Sequence, residues 1–126
     1  MVKVLIPFTE PDGGERAVRS LLADPAISEC EVELLALVAP ISAANGRYSV
    51  APALAEEIAR ETALVWIARL GPLLAAAAVP YHATIVVGDR VKELEHAIHR
   101  VDVDRVLVPE AAHRSLERAR PVTVVA

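Results

Sequence analysis

The stretch TEPDGGER, Thr9–Arg16, is the first place where residue types and spacing suggest chemistry. Two glycines stand between an apolar run and a helical pattern, where a turn could aim backbone N–H groups at a phosphate. The same stretch carries Glu10, Asp12 and Glu15, which would oppose an anion. It has neither the Gly-Lys-Ser/Thr ending of a P-loop nor a G-x-G-x-x-G pattern. A helix start explains more: Asp12 reads as the N-cap and Glu15, three residues on, as its capping-box partner. A carboxylate there also complements the helix dipole, by roughly 0.3–1 kcal/mol.

Histidines supply the next candidates. His96 and His99 lie three apart beside Glu93 and Glu95, a spacing that can ligate a metal. Glu95 and His99 are equally an ordinary i, i+4 surface pair, and no metal is expected. Glu110 and His113 could share acid–base work, since a carboxylate tunes a neighbouring imidazole. Nothing beside them supplies a nucleophile or an oxyanion hole, and Ser115 lacks nucleophile-elbow glycines. The expectation is therefore no catalytic residue and no enzyme. Arg114, Arg118 and Arg120 read as a solvated basic face near a short helix's end. Cys30 is the single cysteine, flanked by Glu29 and Glu31. Two carboxylates raise a thiol's pKa, so no reactive thiolate is expected.

The elements that must position these groups follow from hydrophobic pattern. Val2–Phe8 and Glu31–Val38 are short apolar runs, read as strands buried on both faces. Between them Ala17, Val18, Leu21 and Leu22 mark one face of a helix over Glu15–Ala23, stopped at Asp24-Pro25. Ile41–Ala51 is a loop with an Asn45-Gly46 turn. Pro52 opens a long helix whose apolar stripe runs through Ala55, Ile58, Ala59, Thr62, Ala63, Trp66, Leu70, Leu73, Leu74 and Ala77. Trp66 reads as core. Pro72 should kink or break this helix. Tyr81–Val87 is the third strand, ended by Gly88-Asp89. His82 sits near its start, away from the expected ligand end. Val91, Leu94, Ile98 and Val101 mark another helix. Arg105–Val108 is the fourth strand, Ala111–Ala119 a short helix, and Pro121–Val125 the fifth strand.

Alternating strands and helices predict an α/β fold, a parallel sheet with helices on both faces. Ligands of such sheets bind beyond the carboxyl ends of the strands, at Phe8–Glu10 and Pro109–Ala112 in this chain. The 126 residues suit a single domain, 1–126. A net charge of −4 argues against nucleic acid as a partner. The apolar region Leu64–Val79 is interrupted by Arg69 and Gly71-Pro72, so no membrane span is expected. The lone cysteine and the absence of a signal-peptide pattern suggest the cytoplasm.

VKVLIPF with an acidic glycine-containing turn and ERAVRSLL, then TIVVGDRVKELEHAI, DRVLV and RPVTVVA, resemble universal stress proteins in order along nearly the whole chain. The resemblance implies an open five-stranded parallel sheet, order 3-2-1-4-5, of the adenine nucleotide alpha hydrolase-like kind. It implies a homodimer through the last strand, and ATP binding in one branch. That branch ends strand one in an acid and carries G-x-x-G-x9-G-S/T after strand four. This chain has Thr9 at the first place and Pro109, Glu110, Ala111, Ala112, His113 at the second, with no glycine after Gly88. Pro109 lacks an N–H, and alanines do not take the open conformations that let glycine wrap phosphates. The resemblance thus implies a member without ATP and no cofactor, acting through partner contacts with a protein still to be identified. Pro7, Thr9, Val38 and Gly88 match positions lining the nucleotide site of binding members. They leave a remnant crevice for AMP, ATP or another small ligand as the alternative. Val122, Thr123, Val124 and Val125 would form an apolar sheet edge, which invites pairing with a second copy.

Overall fold

The computed structural model describes residues 1–25, 29–40 and 51–109, and the backbone of Thr123–Val125. The elements are β1 (Val2–Phe8), α1 (Pro11–Ala23), β2 (Cys30–Val38), α2 (Pro52–Ala76), β3 (Tyr81–Val87), α3 (Arg90–Ile98), β4 (Arg105–Pro109) and β5 (Thr123–Val125). All pairings are parallel, in the order β3-β2-β1-β4, with the three-residue β5 set outside β4. The predicted helix over Ala111–Ala119 and the loop 41–50 lie outside the described residues, as do Glu110, His113, Arg114, Ser115, Arg118, Arg120 and Val122.

The two faces of the sheet follow from strand alternation. Val4, Ile6 and Phe8 with Val32, Leu34, Ala36 and Val38 face α1 and α2, and meet Ala17, Val18, Leu21, Ala59, Ala63, Leu70 and Leu74 in one core. Leu5, Leu35, Leu37, Val106 and Val108 face α3 and meet Leu94, Ala97 and Ile98 in the other. Trp66 packs on the first core, its ring centroid 6.1 Å from that of Phe8. Thr62 and Ala77, placed on the buried stripe by spacing alone, are exposed. The Thr62 hydroxyl donates to the Ile58 carbonyl instead.

Three boundaries differ from the pattern reading. Helix α1 begins at Pro11, four residues early, and its N-cap is Glu10 rather than Asp12. Proline at the first helical position has its φ already set and loses no hydrogen bond there. Pro72 does not end α2, which continues to Ala76. Its ring removes the donor to the Ala68 carbonyl, on the exposed side of the helix. Helix α3 stops at Ile98, so Val101 is solvent-exposed rather than on the helical face. Arg100 has turned to meet Glu33 and Asp102.

Helix α2 ends in a Schellman-type cap. The Val79 N–H donates to the Leu74 carbonyl at 3.0 Å, and Ala78 takes a left-handed φ of 57°. An alanine pays for that conformation with a Cβ clash of about 1–2 kcal/mol. Ala78 is exposed, so a smaller side chain loses little packing. Ala78→Gly is expected to stabilise the fold by about 1 kcal/mol, read as a higher urea midpoint with an unchanged m-value.

Candidate functional site

Pro7, Thr9, Val38 and Gly88 all lie at the carboxyl end of the sheet, on β1, β2 and β3 or just beyond them. Pro7 and Val38 are buried, and Thr9 and Gly88 half-buried. Gly88 is tied to Val38, its N–H donating to the Val38 carbonyl at 3.0 Å.

The glycines of the opening stretch serve packing. Gly13 and Gly14 sit inside α1 and are buried. A Cβ on Gly13 would stand 3.1 Å from Pro109 Cβ, and one on Gly14 would stand 2.7 Å from Leu70 Cδ1 and 3.0 Å from the Phe8 ring. These positions let the first turn of α1 lie directly against the end of β4, the β1 ring and α2. That close approach is why glycine stands inside a helix despite its entropic cost.

Two of the helix N-termini at this end, those of α1 and α3, are capped by the chain's own carboxylates, whereas α2 starts behind Ala51 with no side-chain cap. Glu10 Oε1 accepts from the Gly13 N–H at 3.0 Å, with Arg16 Nη2 3.5 Å away. Asp89 Oδ1 accepts from Val91 and Lys92 N–H at 3.0 and 3.1 Å and caps α3. On the flank, Arg69 Nη2 from α2 donates to Asp12 Oδ1 at 2.7 Å and reaches Glu15 Oε2 at 3.5 Å. The hydrogen bond to Asp12, then that to Glu15, raises the Arg69 pKa. The dipole ends of α1 and α3, which attract anions elsewhere, thus each meet an internal carboxylate. Around Thr9 and Gly88 the chain carries Glu10, Asp12 and Asp89 together with Arg16, Arg90 and Lys92.

The opposite end of the sheet holds a charge network that pattern reading missed. Glu33, in the middle of an apolar strand, is only 5% exposed. Arg100 grips it with two nitrogens: Nη2 donates to Oε1 at 3.0 Å and Nη1 donates to Oε2. Arg100 also donates through Nε to Asp102 Oδ1 at 2.9 Å and through Nη2 to Oδ2. His82 Nε2 lies 3.2 Å from Glu33 Oε1, and Lys3 Nζ is 3.5 Å from Asp102. The Arg100 hydrogen bond holds the Glu33 pKa below its ordinary value against the opposing effect of burial. The same guanidinium holds Asp102 far below the usual carboxylate range. A cue existed in the sequence: Glu33 is the one charge inside VELLALV, and a buried charge needs a partner.

The other candidates are placed as follows. His99 Nδ1 lies 2.7 Å from the Glu95 backbone carbonyl, so this pair meets through the main chain and not through two side chains. His96 Nδ1 is 3.8 Å from Glu93. Among the described residues no three His, Cys, Asp or Glu side chains converge. Cys30 is buried, and burial raises its thiol pKa. It lines a cavity of about 480 Å³ with Met1, Leu21, Leu22, Val79 and Pro80, at the amino end of the sheet. No described helix is long and apolar enough to cross a membrane.

This architecture defines a doubly wound α/β domain, with Pro7, Thr9, Val38 and Gly88 at the carboxyl end of its sheet. Its fold is that of universal stress proteins. A universal stress protein family structure from Burkholderia pseudomallei superposes with a TM-score of 0.72 at 13% identity, covering 98% of this chain and 92% of that one. The hypothetical protein MJ0577 superposes with a TM-score of 0.69 at 16% identity, covering 98% and 94%. A universal stress protein family structure from Arabidopsis thaliana with AMP bound gives 0.58 at 17% identity, covering 99% and 91%. No family model matches the sequence, and no curated protein does.

Proposed function

We propose that the chain is a universal-stress-protein-like regulatory module that has lost ATP binding and acts through homodimer and protein contacts. The observation that carries this reading is the occupied N-terminus of α1. The Gly13 N–H is taken by Glu10, and the glycines are consumed in packing against Pro109, Leu70 and Phe8. A triphosphate would meet Glu10, Asp12 and Asp89 where it needs donors. The sequence beyond Pro109 offers no glycine to replace them. The homodimer of this reading forms through the edge Val122, Thr123, Val124 and Val125.

Calorimetry and thermal melting with ATP and magnesium test the loss of binding. The expected result is no saturable heat and no shift in melting. A ligand at a hundred times its dissociation constant would add about 2.7 kcal/mol of stability, so even modest affinity would be visible. Saturable, magnesium-dependent uptake of ATP overturns the proposal.

A second reading is a sensor of AMP or a related small ligand. It is favoured by the likeness of fold to the AMP-bound Arabidopsis structure and by Pro7, Thr9, Val38 and Gly88 sharing one end of the sheet. AMP binding that is lost in Thr9→Val, with ATP still excluded, would establish it over the first.

A further inference from the structure

Among the described residues strand β3 is the last strand on its side of the sheet. The Val32 N–H donates to the Pro80 carbonyl, and the Gly88 N–H donates to the Val38 carbonyl. Backbone groups of residues with this parity therefore turn inward to β2. Tyr81, Ala83, Ile85 and Val87 turn theirs outward, where nothing among the described residues pairs with them. Natural edges are usually blunted by lysine, proline, a bulge or a short strand. YHATIVV has none of these over seven residues, and its register on β2 is unbroken.

Helix α2 packs against this strand, its Gly71 against the Tyr81 side chain, and carries exposed apolar residues of its own. Leu64 is 57% and Val65 69% exposed, and Leu54, Ala68, Pro72, Ala75 and Ala76 are exposed with them. From Thr62 to Ala76 the sole charge is Arg69, which turns away to Asp12 and Glu15 on α1. Beyond Glu61 the helix is thus apolar over most of its outer side as well as its inner one.

We propose that the β3 edge and the outer face of α2 together form a two-fold interface with a second copy of this chain. Another strand edge satisfies a free strand edge in regular register, and a dyad supplies an identical one running antiparallel. The charges favour the same arrangement. Parallel helices would set Glu57 and Glu61 against their own copies. Antiparallel helices set them over the apolar Ala75 and Ala76 end of the partner's α2. The area is adequate as well. A 25-residue helix is about 37 Å long. With the neighbouring strand edge it offers on the order of 600 Å² per copy, or about 1,200 Å² in total, the lower bound of stable interfaces.

This surface lies across the sheet from the β5 edge, so the two can be told apart. Solution mass is measured on the full chain over the micromolar range for wild type, Val65→Glu, Leu64→Lys, Ala83→Pro and Val124→Pro. Ala83 is exposed and its N–H faces outward, so proline there spares the β2 ladder. Val65→Glu and Leu64→Lys are expected to raise the dissociation constant at least tenfold while leaving cooperative unfolding intact. Ala83→Pro is expected to do the same, with amide protection lost at Ile85. Val124→Pro should leave this association in place. A wild type monomeric throughout that range, or an association abolished by Val124→Pro and indifferent to the other three, overturns the proposal.

Discussion

Arg100→Met is expected to destabilise the fold by about 3 kcal/mol, because it strands a carboxylate buried in the sheet. For a chain of this size the melting temperature should fall by about 10 °C. Glu33 keeps only His82 as a partner after the change, and His82 is itself largely exposed. Removing the charge as well, in Glu33→Gln with Arg100→Met, should recover a substantial part of the loss. The double-mutant cycle reports the coupling directly. Acidity should have a related effect. The folded Glu33 pKa lies below its unfolded value of about 4.3, so its contribution is fully present above that pH. It fades as pH falls through the folded value. In Arg100→Met the opposing effect of burial is left dominant, so this acid dependence should shrink or reverse. Denaturant titrations across the acidic range read both signs.

Gly14→Ala is expected to cost about 2 kcal/mol, although alanine is the better helix former by about 1 kcal/mol. The new methyl group would meet Leu70 and the Phe8 ring, and both side chains are wholly buried and cannot move aside. Gly71→Ala is the control. Its methyl group would also collide, but with the hydroxyl end of Tyr81, a side chain 40% exposed and free to swing outward. That variant should be neutral or stabilised by up to about 1 kcal/mol. Opposite signs for the same substitution in two helices would establish that α1 owes its glycine to a fixed neighbour. Equal signs would refute it. Denaturant midpoints at matched m-values decide the matter.

Much of this molecule was legible because its strands are short, apolar and well punctuated. Tyr81–Val87 was read as a strand ended by Gly88-Asp89, and the observed strand has the same limits. The parallel arrangement followed from alternation alone. The failures share a cause, which is tertiary contact at close range. Helix α1 was started late because two glycines suggest a turn until Leu70, Phe8 and Pro109 are seen pressed against them. Val101 was assigned to α3 because its spacing fits, but the pull of Glu33 on Arg100 ends the helix first. Gly88 and Thr9 were placed correctly at the carboxyl end of the sheet. What could not be read was the company they keep, since the caps formed by Glu10 and Asp89 depend on where each helix begins.

The order β3-β2-β1-β4 makes the earliest strand of the chain an interior one. One flank of β1 is closed by β2 within a short stretch of chain. The other waits for β4, where the Lys3 N–H meets the Asp104 carboxylate across a separation of 101 residues. A ribosome must therefore deliver most of the polypeptide before the second backbone edge of β1, at Val4 and Leu5, can be paired. Until then the nascent chain displays an unpaired edge of an apolar strand, a natural client for a holding chaperone. Synthesis stalled ahead of Arg105 should leave a protease-sensitive intermediate instead of a smaller folded protein.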